Sequence, residues 1–181
     1  MSSYQIQDQS APHFLTFQVI DWVDVFSRKI YRDIVIDSMK YCRKEKGLEV
    51  YAFVVMTNHA HVIWRASKDN LSDVVRDFKK FTGLHIIRAI QNTETGESRQ
   101  DWMLKRFEFA ARSHSRNSDH QFWTHSNHPV ELFSAKFVEQ KLTYIHENPV
   151  RAGWVEKSED YLYSSARNYA NLPAVMDIDW L

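Results

Sequence analysis

The spacing of apolar residues changes several times along the chain, and each change marks an element. His13 to Trp22 is rich in strand formers, although its alternation is poor. From about Ser27 to Lys46 the pattern becomes helical, with Ile30, Ile34, Met39 and Tyr41 as the candidate buried stripe. Leu48 to Val55 and His61 to Arg65 are β-branched and aromatic, which predicts two adjacent strands joined by a turn or bulge at Asn58. Helical spacing returns over Leu71 to Ile90, through Val74, Val75, Phe78, Phe81 and Ile86, with Ser72 as the candidate cap. Asn92 to Gln100 is polar, contains Gly96 and is expected to be a mobile loop, and Gln121 to Thr124 reads as a short strand. A helix then starts near Ser134 on the stripe Phe137, Val138, Leu142 and Ile145. Pro149 disfavours helical geometry at Asn148, so this helix is predicted to end there, with Gly153 in the following turn.

Strand, helix, strand, strand, helix, strand is the order of the split βαβ motif. The predicted class is therefore α+β: a ferredoxin-like antiparallel sheet with both helices on one face, plus a further helix that brings Tyr144 near the His59 strand. Composition agrees with one domain over residues 1–181, because 44% of the 181 residues are hydrophobic and glycine and proline are scarce. A single cysteine, Cys42, excludes an internal disulfide. No apolar run is long enough to span a bilayer and no export signal is evident, so a cytoplasmic protein is expected. The 23 basic and 23 acidic residues cancel, which counts against non-specific duplex binding and restricts any affinity for nucleic acid to local patches.

Two short constellations carry candidate chemistry. In His59-Ala60-His61 the imidazoles sit at i and i+2 of a strand, so both point to one face and can reach a single metal ion. The same spacing also suits a half-buried strand with two hydrogen-bonded histidines. In Tyr144-Ile-His-Glu-Asn148 the phenol and the amide are four residues apart and share a helix face, either as a functional pair or as a core tyrosine and a helix-capping asparagine. Arg76, Lys79 and Lys80 make a basic helix face that Asp73 and Asp77 could equally neutralise. Lys105, Arg106, Arg112 and Arg116 form a second basic stretch. Trp123 and Trp154 are candidate base platforms, and Arg151 is a candidate phosphate clamp with Glu147 as its alternative partner. His85, His114, His120, His125, His128 and His146 have no ligand spacing.

Together these segments resemble the single-tyrosine HUH transposases of insertion sequences, especially the REP-associated tyrosine transposase branch. The resemblance runs through His13-Phe-Leu-Thr-Phe17, Leu71-Ser-Asp-Val-Val-Arg-Asp-Phe-Lys-Lys-Phe-Thr82, Gln121-Phe-Trp123, Asn127-His-Pro-Val-Glu-Leu132, Tyr144-Ile-His-Glu-Asn-Pro-Val-Arg-Ala-Gly153 and Glu159-Asp-Tyr-Leu-Tyr-Ser-Ser-Ala-Arg-Asn-Tyr169. It implies a metal-dependent tyrosine transposase or endonuclease acting on single-stranded DNA with a hairpin, as a monomer or homodimer. It further implies His59, His61 and Asn148 as ligands of a divalent metal, and Tyr144 as the nucleophile that forms a 5′-phosphotyrosine. The basic residues Arg76, Lys79, Lys80 and Arg151 are then the candidate DNA contacts. Imidazole ligands suit Mn²⁺ at least as well as Mg²⁺. Two positions depart from the family pattern: Thr57 replaces a frequent proline, and Asn148 stands where the insertion-sequence branch has glutamine, one methylene longer. The alternative reading is a sequence-specific nucleic-acid-binding protein of the same fold without productive transposition.

Overall fold

The structure, a computed structural model, describes residues 5–112 and 119–181. Its elements are β1 (His13–Gln18), α1 (Lys29–Lys46), β2 (Leu48–Val55), β3 (His59–Ala66), α2 (Leu71–Gln91), α3 (Gln100–Arg112), β4 (Val130–Glu131), α4 (Ala135–Arg151) and α5 (Ala166–Tyr169). The four strands lie in the order β2-β3-β1-β4. Every neighbouring pair is antiparallel. β1 and β2 thus run parallel with β3 between them, the split βαβ arrangement expected from the element order.

Alternation along the strands divides the interior in two. Leu15, Phe17, Val50, Phe53, Val62 and Trp64 join Val35, Met39, Val74 and Phe78 in the larger core, under α1 and α2. Phe14, Ala52, Val54 and Ile63 face the other way and meet Leu132 and Ile145, the latter on α4. The tyrosine helix therefore packs on the sheet face opposite α1 and α2. In β2 the register shifts between Val50 and Ala52, so Tyr51 is an extra residue in the ladder and joins the smaller cluster.

Several local expectations change. Of the residues chosen for the α1 stripe, Met39 is buried and Ile34 packs on the core edge, but Ile30 and Tyr41 are exposed. The true stripe is rotated by one position, through Tyr31, Val35, Met39 and Cys42, and the Tyr31 hydroxyl finds a buried partner in Glu97 at 3.2 Å. Phe81 on α2 is likewise exposed. α1 stops at Gly47, whose φ of 71° is left-handed. The left-handed backbone is what calls for glycine, and a Cβ there would also come within 2.6 Å of Ser67 Oγ, which would have to turn away. Ser72 does not cap α2: Asn70 precedes the helix, and the Ser72 amide donates to Gln9 Oε1.

The polar segment 92–100 is pinned: Asn92 caps a turn at Thr93–Thr95, and Glu97 is buried between Arg28, Arg99 and Tyr31. Residues 121–124 do not form the fourth strand. Trp123 makes one bridge to Val19. Thr124 donates to the Gln18 carbonyl, Asn127 accepts from the Thr16 amide, and the ladder resumes as β4 beside His13 and Phe14. Between them His128 has φ 42° and Pro129 has no donor, so this edge is a broken strand. α4 also continues past Asn148 through Pro149 to Arg151. Proline removes one helical bond, but the next turn keeps Ala152 N–H on the Asn148 carbonyl, and Arg151 Nη2 donates back to the Tyr144 carbonyl at 2.8 Å. No helix among the described residues is long and apolar enough to cross a membrane.

Candidate functional site

His59 and His61 open β3, just after a tight turn closed by Met56 N–H on the His59 carbonyl. Their ring centroids are 4.7 Å apart on the α4 face of the sheet. Register supplies the support: Thr16 on β1 pairs with His61, and its hydroxyl lies 2.9 Å from His61 Nδ1. Asn58 Oδ1 lies 2.7 Å from His59 Nδ1, and its amide nitrogen donates to the Trp22 carbonyl at 3.3 Å, which fixes the orientation of the amide. An oxygen acceptor at Nδ1 holds the His59 proton there and leaves Nε2 with its lone pair.

α4 brings Tyr144 over this pair. Its ring centroid is 5.2 Å from that of His61 and 5.8 Å from that of Phe14, which itself stacks on His61 at 5.3 Å. Tyr144 is 40% exposed, so it is not sealed into the core. Two cations border the ring: Lys141 Nζ is 5.9 Å and Arg151 Cζ 4.6 Å from its centroid. Asn148 follows one turn beyond Tyr144 on the same helix face and is half-buried. The alternative Arg151–Glu147 pair does not form: Glu147 accepts from Ser158 Oγ, and Arg151 donates to the Tyr144 carbonyl.

Burial pushes the His59 imidazole down to about 4. It pushes His61 down to about 3, with His59, Lys141 and Arg151 adding to the effect. Both rings are therefore neutral at pH 7, the form that ligates a metal. Among the described residues no cluster of three or more His, Cys, Asp or Glu side chains could hold an ion. Two neutral imidazoles on one strand face are donors of the kind that suits a divalent metal, and the Asn148 amide stands one helical turn beyond the tyrosine.

The basic face of α2 is elsewhere. α2 packs on the opposite side of the sheet, where Arg76 pairs with Asp73 at 2.6 Å and with Asp77 at 3.2 Å. Lys79 turns inward and donates to the carbonyl of Thr124 and to Asn127 Oδ1, both at 2.7 Å. Burial pushes this ammonium down to about 8, still protonated at neutral pH. Of the three, Lys80 alone is exposed and forms no ion pair among the described residues. Arg106 lies 3.9 Å from Asp21, whereas His114 and Arg116 fall outside the described residues. Trp123 is buried, with its indole N–H on Thr82 Oγ1, so it is no base platform; Trp154 is partly exposed against Tyr161. His146 is spent on Ser165 Oγ at 2.9 Å.

Sequence reasoning missed Lys141, Thr16, Phe14 and Trp22 as members of the site. Lys141 was within reach, because it precedes Tyr144 by three residues and so shares its helix face. The other three arrive through strand register and a loop, for which the linear sequence carries no spacing signal.

No model of a protein family matches the chain, and no curated protein does. Among solved structures, a REP-associated tyrosine transposase bound to a REP hairpin is similar over all of this chain and 92% of its own, with TM-score 0.66 and 21% identity. A candidate transposase from Deinococcus radiodurans covers 80% of the chain at 16% identity, but its TM-score of 0.44 is too low to add to the comparison. The chain has the fold of the REP-associated enzyme, and the resemblance drawn from its motifs holds at that level.

Proposed function

We propose that this protein is a metal-dependent tyrosine transposase or endonuclease that recognises a single-stranded DNA hairpin and cleaves beside it through a 5′-phosphotyrosine. The observation that supports this most is the meeting of Tyr144 with His61 and His59, from a helix and a strand far apart in sequence, in one partly open cluster bordered by Lys141 and Arg151. A core tyrosine would be buried, whereas Tyr144 is 40% exposed with two cations beside its ring. Similarity to a protein captured with a REP hairpin supports the substrate class.

In this reading Tyr144 Oη attacks the scissile phosphorus, forming a P–O bond to tyrosine and breaking the bond to the 3′-oxygen. The phenol gives up one proton and the departing 3′-oxygen gains one, so none is consumed overall. His59, His61 and Asn148 would hold Mg²⁺ or Mn²⁺, which when bound polarises the phosphate and orients it. Thr16 and Asn58 fix the two imidazoles through their Nδ1 atoms. Lys141 and Arg151 attract the backbone, and Arg151 can take two phosphate oxygens at once, if it leaves the Tyr144 carbonyl. Because the phosphodiester energy is kept in the tyrosine ester, a 3′-hydroxyl can rejoin the strand without ATP.

The test is a selection of bound single-stranded hairpin oligonucleotides, followed by incubation with Mn²⁺ and a denaturing gel. A covalent adduct should form with wild type and vanish in Tyr144→Phe, which keeps binding. Binding without any adduct would move the weight to a nucleic-acid-binding protein of this fold.

A further inference from the structure

Trp22 stands at the edge of the histidine pair in an unusual backbone. Asp21 has φ 52° and Trp22 has φ 56°, two consecutive non-glycine residues in the left-handed region. Glycine would relieve both positions, and a bulky aromatic is among the poorest choices for either. The turn nevertheless holds the indole 56% exposed, with its ring centroid 5.8 Å from that of His59. Asn58 ties the two together, since its amide nitrogen binds the Trp22 carbonyl while its oxygen binds His59 Nδ1. Next to it, Asp21 lies 3.9 Å from Arg106, so the acidic neighbour of the indole is matched by a cation.

Trp102, Trp154 and Trp180 are exposed as well, but only Trp22 combines exposure with a left-handed backbone and a ring contact to a candidate metal ligand. Strain kept at a site by hydrogen bonds from that site is a sign of a positioned functional group. Aromatic faces bind unpaired bases without requiring a particular sequence. We infer that Trp22 is a stacking platform for one unpaired nucleobase next to the scissile phosphate, on the His59 side of the site. The inference rests on the single-strand reading proposed above. Stacking there would hold the adjoining phosphodiester at the histidines while Tyr144 approaches from the other side of His61.

The experiment is a binding cycle. The selected hairpin oligonucleotide is made as a series with one abasic residue at each position around the cleavage point. Dissociation constants are measured for wild type, Trp22→Ala and Trp22→Tyr, each combined with Tyr144→Phe so that no adduct forms. Stacking should make one abasic position cost wild-type Trp22 about ten- to hundredfold in affinity. The same abasic residue should cost Trp22→Ala almost nothing further, and Trp22→Tyr should regain most of the sensitivity. Equal abasic penalties in the Trp22 and Trp22→Ala proteins would overturn the inference, as would wild-type affinity in Trp22→Ala. Coupling at one base without any adduct from the Tyr144 protein would sink the transposase reading and keep Trp22 as a platform. Adduct without coupling would do the reverse, and no binding at all would overturn both.

Discussion

On one face of the sheet β3 presents Ala60, Val62, Trp64 and Ala66 and β1 presents Leu15 and Phe17, all sealed under α1 and α2. On the other face the same strands present His59, His61 and Ile63 beside Phe14 and Thr16, and only Ile63 and Phe14 enter an apolar cluster. Adjacent residues of one strand therefore serve opposite ends: even positions of β3 close the large core, and odd positions leave polar nitrogens at a partly open site. The dependence runs in one direction. A one-residue slip of β3 against β1 would turn Trp64 and Val62 toward α4 and the histidines into the core, so the core face fixes the register that sets His61 opposite Thr16. Precision at the candidate site is supplied from behind the sheet.

That asymmetry can be broken most strongly at Trp64. Its side chain is fully buried, so Trp64→Ala should cost about 3–5 kcal/mol, read by urea unfolding in EDTA. A loss below about 1 kcal/mol would show that the stabilising face lies elsewhere. Next comes the open face: His61→Ala should abolish Mn²⁺ binding in calorimetry and adduct formation, while costing less stability than Trp64→Ala. Undiminished metal affinity in a His59→Ala/His61→Ala protein would remove the ligand assignment. A smaller effect is expected one shell out, at Thr16→Val, which deletes the hydroxyl on His61 Nδ1. Metal affinity should fall by about 10- to 100-fold, the usual cost of a lost supporting bond.

Protonation offers a finer separation of the two faces. Because burial holds His59 and His61 near about 4 and about 3, the folded protein stays unprotonated there while the unfolded chain takes up protons near the ordinary histidine value of about 6.5. The unfolded state then binds more protons, so stability falls as pH drops from about 6.5 toward about 4. Thermal unfolding in EDTA should show this loss in wild type and a shallower one in His59→Asn/His61→Asn. Parallel pH curves would mean that the imidazoles are more solvated than their surroundings suggest. His146, also pushed down to about 4 by burial, is common to both proteins and cancels.

Much of this contrast was legible in the chain itself. The His-x-His spacing guaranteed a shared face, the four-residue step fixed Tyr144 and Asn148 on one side of α4, and the element order defined the sheet. What failed did so for physical reasons that spacing does not encode. Helical spacing in α1 admits two stripes one position apart, and the inward one carries Tyr31, whose hydroxyl meets Glu97 sixty-six residues away. The edge strand is broken: its two pieces, at Trp123 and at Val130–Glu131, are separated by the left-handed His128 and by Pro129, which no run of strand formers signals. Pro149 did not end α4, since Arg151 and the packing of a buried proline sustain another turn. Helical spacing also put Lys79 on one face with Arg76 and Lys80, but only tertiary structure reveals carbonyl acceptors drawing its ammonium inward.

The smallest effect should come from the basic residues that looked most like a DNA surface. Arg76 is already matched by Asp73 and Asp77, and with Lys80 it lies across the sheet from Tyr144. A strand seated at the histidines gains little from either. Arg76→Gln/Lys80→Gln should change hairpin affinity by no more than about twofold and leave its salt dependence as it was, because each phosphate contact contributes to that slope through counterion release. Lys141→Gln and Arg151→Gln, which border Tyr144, should weaken binding across sequences and each reduce the slope by about 1. Measuring affinity over a range of salt for both pairs decides the matter. If the α2 pair lowers the slope and the α4 pair does not, the strand crosses the α1–α2 side, and the division between a structural and a DNA-facing side of the sheet is wrong.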